Sequence, residues 1–579
     1  AMKQKIVISK RTNCIIGLGL LLSVVYLYFH QYSFISKTQP QAISRFLSKF
    51  SILSVLGIAA VTCFIFYAYW EKSQKSQLEK MIRMALAAVF LVLAAVLLKT
   101  GYLLSQVGIT AMLYLSILFI LNFKISRLSM IVVSVLTIFE FGYNAYLSQV
   151  TFGYDDVHKF ADATVSVKRV TDNIQENADQ KFYRIAADFA YSRTVPSLVS
   201  YPGLSTFSSS LERSTMDHFA FMGDLGVNAA TQYSNGTPLT DALYGVRYFM
   251  SAKDFDPKEI EANPDKMYFY RFTDRFDLHR YFTDKVYEDK RYVVYKNPNS
   301  FPLAYGTNSL VRNIQFGANN AFANQNIILN SMEGHQKANN DTVEYFKPLA
   351  FSSIETENVI EEKVNKETGE AIYKRADSSK DAIIRYKVTP RTNYTYYFFT
   401  PVSLIQNQDY SVLLNNKWLL NAKIFTQRQI WQLTDQTENQ ETVIEFRFRT
   451  DHIDMSNAGV YRADVDQIQQ VLENRKKQGL HVTKFSNTHI VGDVSITDDS
   501  NYMMTSIPYS DGWKVKVDGK FVKTEKAWNA FLSFPISKGN HKVEFVFRQK
   551  GVILGALLSI VSVAYLVIQM RRSRSDEGQ

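Results

Sequence analysis

Six apolar runs constrain this chain more than any other feature: Cys14–Phe29, Ser51–Trp70, Met81–Leu98, Tyr102–Phe123, Leu128–Tyr146 and Val552–Met570. A helix needs roughly 20 mostly apolar residues to cross a bilayer, and four of the runs meet that length comfortably. Cys14–Phe29 is short, and Met81–Leu98 carries Arg83 near one end, from where its charge can snorkel to the surface. The reading is six membrane helices, five before residue 150 and one near the end. They enclose a polar segment of about 400 residues.

Charge sets the orientation. Residues 1–150 hold 14 Lys and Arg against three acids, Glu71, Glu79 and Glu140. Residues 151–570 hold 48 bases and 49 acids, so the basic excess behind the pI of about 9.1 belongs to the membrane part. That placement is a topology signal and excludes nucleic acid as a partner. With the amino terminus inside, 13 Lys and Arg flank the helices on the cytoplasmic side and only Lys37, Arg45, Lys49 and Lys99 lie outside. The expected localisation is a multi-pass cell-membrane protein with both termini cytoplasmic and a large extracellular domain. Its two cysteines, Cys14 and Cys63, sit in apolar runs, so the exported part folds without disulfides. That suits a bacterial envelope.

The fold class expected is membrane α-helical plus a large extracellular α/β and β-sandwich domain. Residues 1–149 form the membrane domain, 150–310 an α/β subdomain and 311–550 a β-sandwich subdomain. Residues 551–570 form the last helix and 571–579 a cytoplasmic tail. Phe182–Asp188, Val246–Ser251 and Arg291–Lys296 have strand composition, while Asp156–Asn177 and Leu211–Met222 have helical patterns. Ala382–Val388, Tyr394–Pro401, Ser411–Leu414, Thr442–Phe448 and Asn501–Ile507 read as sandwich strands. One helix interrupts them, with Val465, Ile468, Val471 and Leu472 on one face and Asp464 near its start. Asp518-Gly519 between alternating apolar residues predicts a tight hairpin. Glu355–Glu370 is charged and lacks aromatics, and reads as an exposed loop or hairpin tip.

No phosphate-binding glycine loop, zinc-type Cys/His spacing or nucleophile elbow is present. His452, His481 and His489 lack ligand spacing, and no metal ligand is assigned. Glu140 is the one acid deep in an apolar run, with Asn144 on the same helix face. It reads as a structural hydrogen-bonding group or as a functional carboxylate. Asp155 and Asp156 at the outer surface can cap the next helix, or hold a divalent cation against a phosphate. The run Tyr201–Ser210 is dense in small hydroxyls. It is either an ordinary loop, or one whose Tyr201, Ser205, Ser208 and Ser209 bond sugar or phosphate oxygens, with Tyr201 and Phe207 as stacking faces.

Taken together, these pieces resemble the carboxy-terminal part of the YfhO family of bacterial multi-pass membrane proteins. The resemblance rests on Glu140–Asn144, Phe182–Arg184 leading to Tyr201–Ser210, Tyr248-Phe249 and Asn297–Ala304. Its most specific part is Ser506-Ile507-Pro508-Tyr509-Ser510-Asp511-Gly512-Trp513 running to Val517-Asp518-Gly519-Lys520, followed by Gly539-Asn540-His541. It implies a GT-C-type glycosyltransferase moving sugar from a polyprenyl-phosphate donor to a cell-wall polymer such as teichoic acid. The partners implied are the lipid bilayer, the polyprenyl-phosphate-linked sugar and the polymer. Glu140, Asp155, Asp156, Arg184, Tyr201, Ser205, Ser208 and Ser209 are the candidate substrate-binding residues. The family's presumed catalytic carboxylate lies in the first external loop, but here His30–Lys49 contains no Asp or Glu. No catalytic residue is assigned. With its Ala1-Met2 start, the chain is expected to be a fragment or a split-frame product lacking the catalytic half. The rival is a non-enzymatic, membrane-anchored carbohydrate-binding or scaffold protein of envelope assembly. A transporter fits less well, with one deep acid and no repeated broken helices.

Overall fold

The computed structural model describes residues 157–576 except 228, 234–235, 254–269, 272–274, 283, 318–319, 337–339, 366–367, 391–393, 401–408, 423–428, 435–438 and 498–499, together with eleven scattered positions between Ile131 and Gln149. Those scattered positions are helical. The four runs before Leu128, and Glu140, Asp155 and Asp156, lie outside the described residues. Contacts divide the chain into Ala1–Tyr154 and Asp155–Gln579. Everything below concerns the second unit.

Its first layer is α/β. Helix Val157–Glu176 sets Val167, Val170 and Ile174, spaced three and four apart, in one core with Ile185, Tyr248, Met250 and Val294. The sheet order is Arg184–Ala187, Val246–Ala252, Tyr292–Lys296, Asp284–Glu288. The first pair is parallel and the other pairs antiparallel. A parallel pair requires a long crossover. Here the crossover holds helices Val195–Val199, Arg213–Phe221 and Pro238–Leu243, and a three-stranded sheet of Thr206–Phe207, Ala230–Gln232 and Leu225–Val227.

Two sandwiches follow. In the first, a five-stranded sheet (Ser353–Glu357, Ala382–Val388, Thr442–Phe448, Tyr410–Leu414, Lys417–Ala422) accompanies a four-stranded one (Phe346–Leu349, Gly459–Ala463, Thr395–Phe399, Ile430–Thr434). Ala382, Ile384, Tyr386 and Val388 alternate inward, as a strand with one buried face must. They share a core with Phe398, Trp431 and Phe446. Of the two readings of the charged segment, exposed loop or hairpin tip, the structure has the hairpin: Val359–Asn365 and Glu370–Arg375 pair antiparallel, extended by His452–Asp454, so strand covers more of the segment than a tip would. Its first strand is exposed on both faces, which is why no apolar alternation marks it.

The second sandwich joins Ala304–Thr307, Tyr502–Pro508, Phe531–Pro535 and Glu525–Ala527 to a five-stranded sheet. That sheet is His481–Phe485, His489–Ile496, Gly539–Phe547, Trp513–Val517 and Lys520–Val522. Ala304–Thr307 pairs with Tyr502–Pro508, so the strand ladder crosses residue 310. Asp518 and Gly519 both have positive φ, 51° and 79°, as the two-residue hairpin demands. Helices Ala321–Glu333 and Val465–Lys476 share a central core through Ile328, Leu329, Ile468 and Leu472. Asp464 caps the second helix by accepting from the Gln467 N–H.

Helix Val552–Asp576 closes the unit. Its Val552–Gln569 window has a mean hydropathy of 2.3 and buries nothing against protein. It is the one helix among the described residues long and apolar enough to cross a membrane.

Candidate functional site

Strand Arg184–Ala187 ends where a cleft begins. The cleft is lined by Ala187, Ser192, Tyr201, Leu204, Ser205 and Tyr233, among others. Ligand sites gather at the carboxyl ends of parallel strands, because side chains and loops diverge there. The cleft's volume is about 20 Å³, room for one or two waters or a single hydroxyl-bearing group. Tyr201 sits half-buried in its wall, and burial pushes its phenol well above the ordinary range. Ser205 Oγ accepts from the Tyr233 N–H at 3.3 Å.

The remaining hydroxyls of the Tyr201–Ser210 run lie elsewhere. Thr206 and Phe207 pair with Thr231 and Ala230. Ser208 Oγ accepts from the Ser210 N–H at 3.3 Å and sits 2.9 Å from Ser210 Oγ, closing a turn. Ser209 is exposed, and neither Ser208 nor Ser209 lines the cleft. So the structure brings Tyr201 and Ser205 together and leaves the other two outside.

Arg184 adjoins this region but is occupied. Its guanidinium donates to the carbonyls of Tyr244 (2.6 Å) and Ser506 (2.9 Å) and lies 5.0 Å from the Phe182 ring centre. Burial lowers its pKa to about 10. It ties the α/β layer to the second sandwich. Arg184→Met should therefore lower the unfolding free energy by about 2 kcal/mol, by loss of two charged hydrogen bonds. Denaturant unfolding of the full chain, followed by tryptophan fluorescence, checks this.

Behind the cleft lies a network that sequence reasoning missed. Tyr233 Oη donates to Asp241 Oδ1 at 2.6 Å. Arg275 Nη2 meets Asp241 Oδ2 at 2.8 Å, and Arg275 Nε meets Asp277 Oδ1 at 2.7 Å. These three charged side chains are 0–1% exposed. Burial raises the Asp241 carboxyl, with the Arg275 charge opposing. Burial lowers Arg275, but Asp241 and Asp277 outweigh it and hold the guanidinium well above its usual value. Asp241 is placed by the short helix Pro238–Leu243, whose start is locked by a reciprocal cap: Thr240 N–H to Thr237 Oγ1 and Thr237 N–H to Thr240 Oγ1. Gly236, at φ +44°, passes so close that a Cβ there would stand 1.9 Å from Arg275 Nη1. Thr237-Pro238-Leu239-Thr240 was a readable helix start, but nothing local links Asp241 to Arg275, 34 residues on.

Among the described residues the cleft lining contains no Lys or Arg, and the buried Arg275 behind it is matched by two carboxylates. Such a wall suits neutral hydroxyl groups and opposes phosphate. Among the described residues no group of three or more His, Cys, Asp or Glu could hold a metal.

The described part is thus a large β-rich domain followed by a helix long and apolar enough to cross a membrane. A model of the family described as "Bacterial membrane protein YfhO" matches residues 3–559, and the chain belongs to that family of membrane proteins. One relative is the uncharacterized protein YfhO of Bacillus subtilis (strain 168), 26% identical over 121 residues. That stretch is 21% of this chain and 14% of the relative's length. Among solved structures, an anti-sigma factor domain-containing protein from Clostridium clariflavum covers 33% of this chain and 84% of its own, at 11% identity and a TM-score of 0.12. A Paenibacillus cycloisomaltooligosaccharide glucanotransferase covers 34% and 45%, at 7% identity and a TM-score of 0.13. Discoidin II from Dictyostelium discoideum covers 34% and 92%, at 13% identity and a TM-score of 0.11. Scores this low carry nothing about this chain's fold or function.

Proposed function

We propose that this chain is the acceptor-handling part of a multi-pass membrane glycosyltransferase of the GT-C type, acting between a polyprenyl-phosphate-linked sugar and a cell-wall polymer such as teichoic acid. In this reading the β-rich domain is extracellular, both termini are cytoplasmic, and the domain holds the polymer above the membrane. The supporting observation is the cleft at Tyr201, Ser205 and Tyr233, whose hydroxyl and apolar lining, without Lys or Arg among the described residues, fits one hydroxyl of a polyol better than a phosphate. The phosphate of the donor is then met elsewhere. Ser208 and Ser209 on the outer turn, and Phe207 at 48% exposure, lie outside the cleft and are assigned to a longer polymer. Glu140, Asp155 and Asp156 are assigned to the membrane face, with a divalent cation at the paired aspartates as the form that binding would take.

Deleting the segment that encodes this chain should abolish or sharply reduce glycosylation of one wall polymer, and the chain supplied together with the rest of the transferase should restore it. A chain carrying Tyr201→Ala and Phe207→Ala should restore it poorly while reaching the membrane in normal amount. Unchanged polymer glycosylation in the deletion strain would end the transferase reading.

A second reading, a non-enzymatic carbohydrate-binding or scaffold protein, is favoured by the segment His30–Lys49, the first external loop of the expected topology, which contains no Asp or Glu to serve as a catalytic carboxylate. It expects normal polymer glycosylation after deletion, with the purified chain still retaining isolated wall polymer.

A further inference from the structure

The most specific sequence motif of the chain lies at the junction with the membrane helix. Four residues separate the end of strand Gly539–Phe547 from Val552, and this linker is gripped by the Tyr509–Trp513 loop. The Arg548 N–H donates to the Gly512 carbonyl at 2.9 Å, and the Trp513 N–H to the Ser510 carbonyl at 3.0 Å. Lys550 Nζ meets Asp511 Oδ2 at 2.6 Å, and Tyr509 Oη donates to Asp511 Oδ1 at 3.2 Å. The Trp513 and Phe547 rings are 5.1 Å apart. Gly512 permits this closeness, since a Cβ there would stand 2.6 Å from Phe547 Cε2 and 2.9 Å from the Arg548 carbonyl oxygen.

Depth follows from the helix. The 18-residue, mostly apolar stretch Val552–Gln569 spans about 27 Å at 1.5 Å per residue, close to the roughly 30 Å hydrocarbon core. The hydrocarbon boundary therefore falls near Val552. Lys550 is two residues outside it, so the loop it binds lies at headgroup depth. The chemistry agrees. Tyr509, Trp513 and Phe547 are only partly buried, and Lys514, Arg548 and Lys550 are exposed. Aromatic rings with a polar edge concentrate at that depth, and cations there attract anionic lipid.

We propose that the Tyr509–Trp513 loop seats in the headgroup layer and that Lys514 and Arg548 engage the phosphates of anionic phospholipids, docking the second sandwich on the membrane surface. This role is independent of the activity and of which side of the membrane the domain occupies.

The test uses the full chain reconstituted in phosphatidylcholine vesicles, with and without phosphatidylglycerol. Trp513 emission is isolated as the difference between the parent and Trp513→Phe, a change that keeps a ring against Phe547. Most of that emission should be lost to lipids brominated near the headgroup and little to aqueous acrylamide. Quenching by acrylamide with none by brominated lipid would overturn the docking. Phosphatidylglycerol should deepen the lipid quenching, and Lys514→Gln with Arg548→Gln should remove that increment. An increment that survives the double substitution would overturn the phosphate contacts.

Discussion

An Arg275→Met chain is expected to lose about 3–5 kcal/mol of unfolding free energy, the effect characteristic of removing one partner from a buried ion cluster. The substitution keeps much of the side-chain volume, so the loss is electrostatic. Asp241 and Asp277 would face each other with side chains 0–1% exposed and no cation between them. One of them would have to take a proton or draw in water. Arg275→Lys should recover only part of the loss, because an ammonium cannot reproduce four donor contacts to two carboxylates. Asp241→Asn should be milder, since it leaves a matched Arg275–Asp277 pair and keeps an oxygen for Tyr233. Guanidinium unfolding in detergent, read by tryptophan fluorescence, ranks the three chains. A methionine chain within about 0.5 kcal/mol of the parent, as for an ordinary surface change, would refute the account.

The network's position explains so large an effect. Asp241 belongs to the crossover of the α/β layer, while Gln432, on a strand of the first sandwich, accepts from the Phe276 and Asp277 N–H groups. Arg275 therefore links two layers, and Tyr233 carries the link to the cleft wall. If the cleft takes a hydroxyl of an acceptor, the geometry of Tyr233 depends on charges the acceptor never touches.

Local signals in the sequence were dependable where one residue type had a single physical use. Ala382–Val388 and Thr442–Phe448 are strands over the ranges their alternation implied. Asp464 is the cap and Asp518-Gly519 the hairpin turn. What was not legible is long-range. The separation of the β region into two sandwiches depends on Ala304–Thr307 pairing with Tyr502–Pro508, almost 200 residues apart, and no periodicity encodes a partner. The strands of the exposed hairpin Val359–Arg375 were legible only as a loop or hairpin tip, because a strand wetted on both faces has no apolar face to show. The hydroxyl-rich run drew attention by composition, yet Ser208 and Ser210 serve their own turn and Ser205 a neighbouring backbone N–H. Composition reports what a loop can bond, while the fold decides what remains available.

The second large effect concerns pH. His218 is 1% exposed among Tyr244, Phe316, Trp528 and Phe531, with the Phe531 ring centre 4.7 Å away. No side chain among the described residues hydrogen-bonds either ring nitrogen, the Trp528 backbone alone lies near enough to oppose the effect of burial, and Tyr244 Oη and Trp528 Nε1 have no hydrogen-bond partner there. Burial lowers its pKa from 6.5 to about 4. Between those values the unfolded chain takes up a proton that the folded chain refuses. Stability therefore rises with pH across the window: it is complete above about 6.5 and is lost as pH falls towards 4, by at most about 3 kcal/mol. Carboxylates titrate in the same range and would blur the parent's profile, so the informative quantity is a difference. His218→Phe removes the titration and places a ring among rings. Its stability at neutral pH should match or exceed the parent's, and its advantage should widen steadily as pH is lowered from 6.5 towards 4. Unfolding midpoints of both full chains across that interval test the point. Profiles that run parallel would mean that His218 is protonated as readily folded as unfolded, and that the aromatic box around it is open to water.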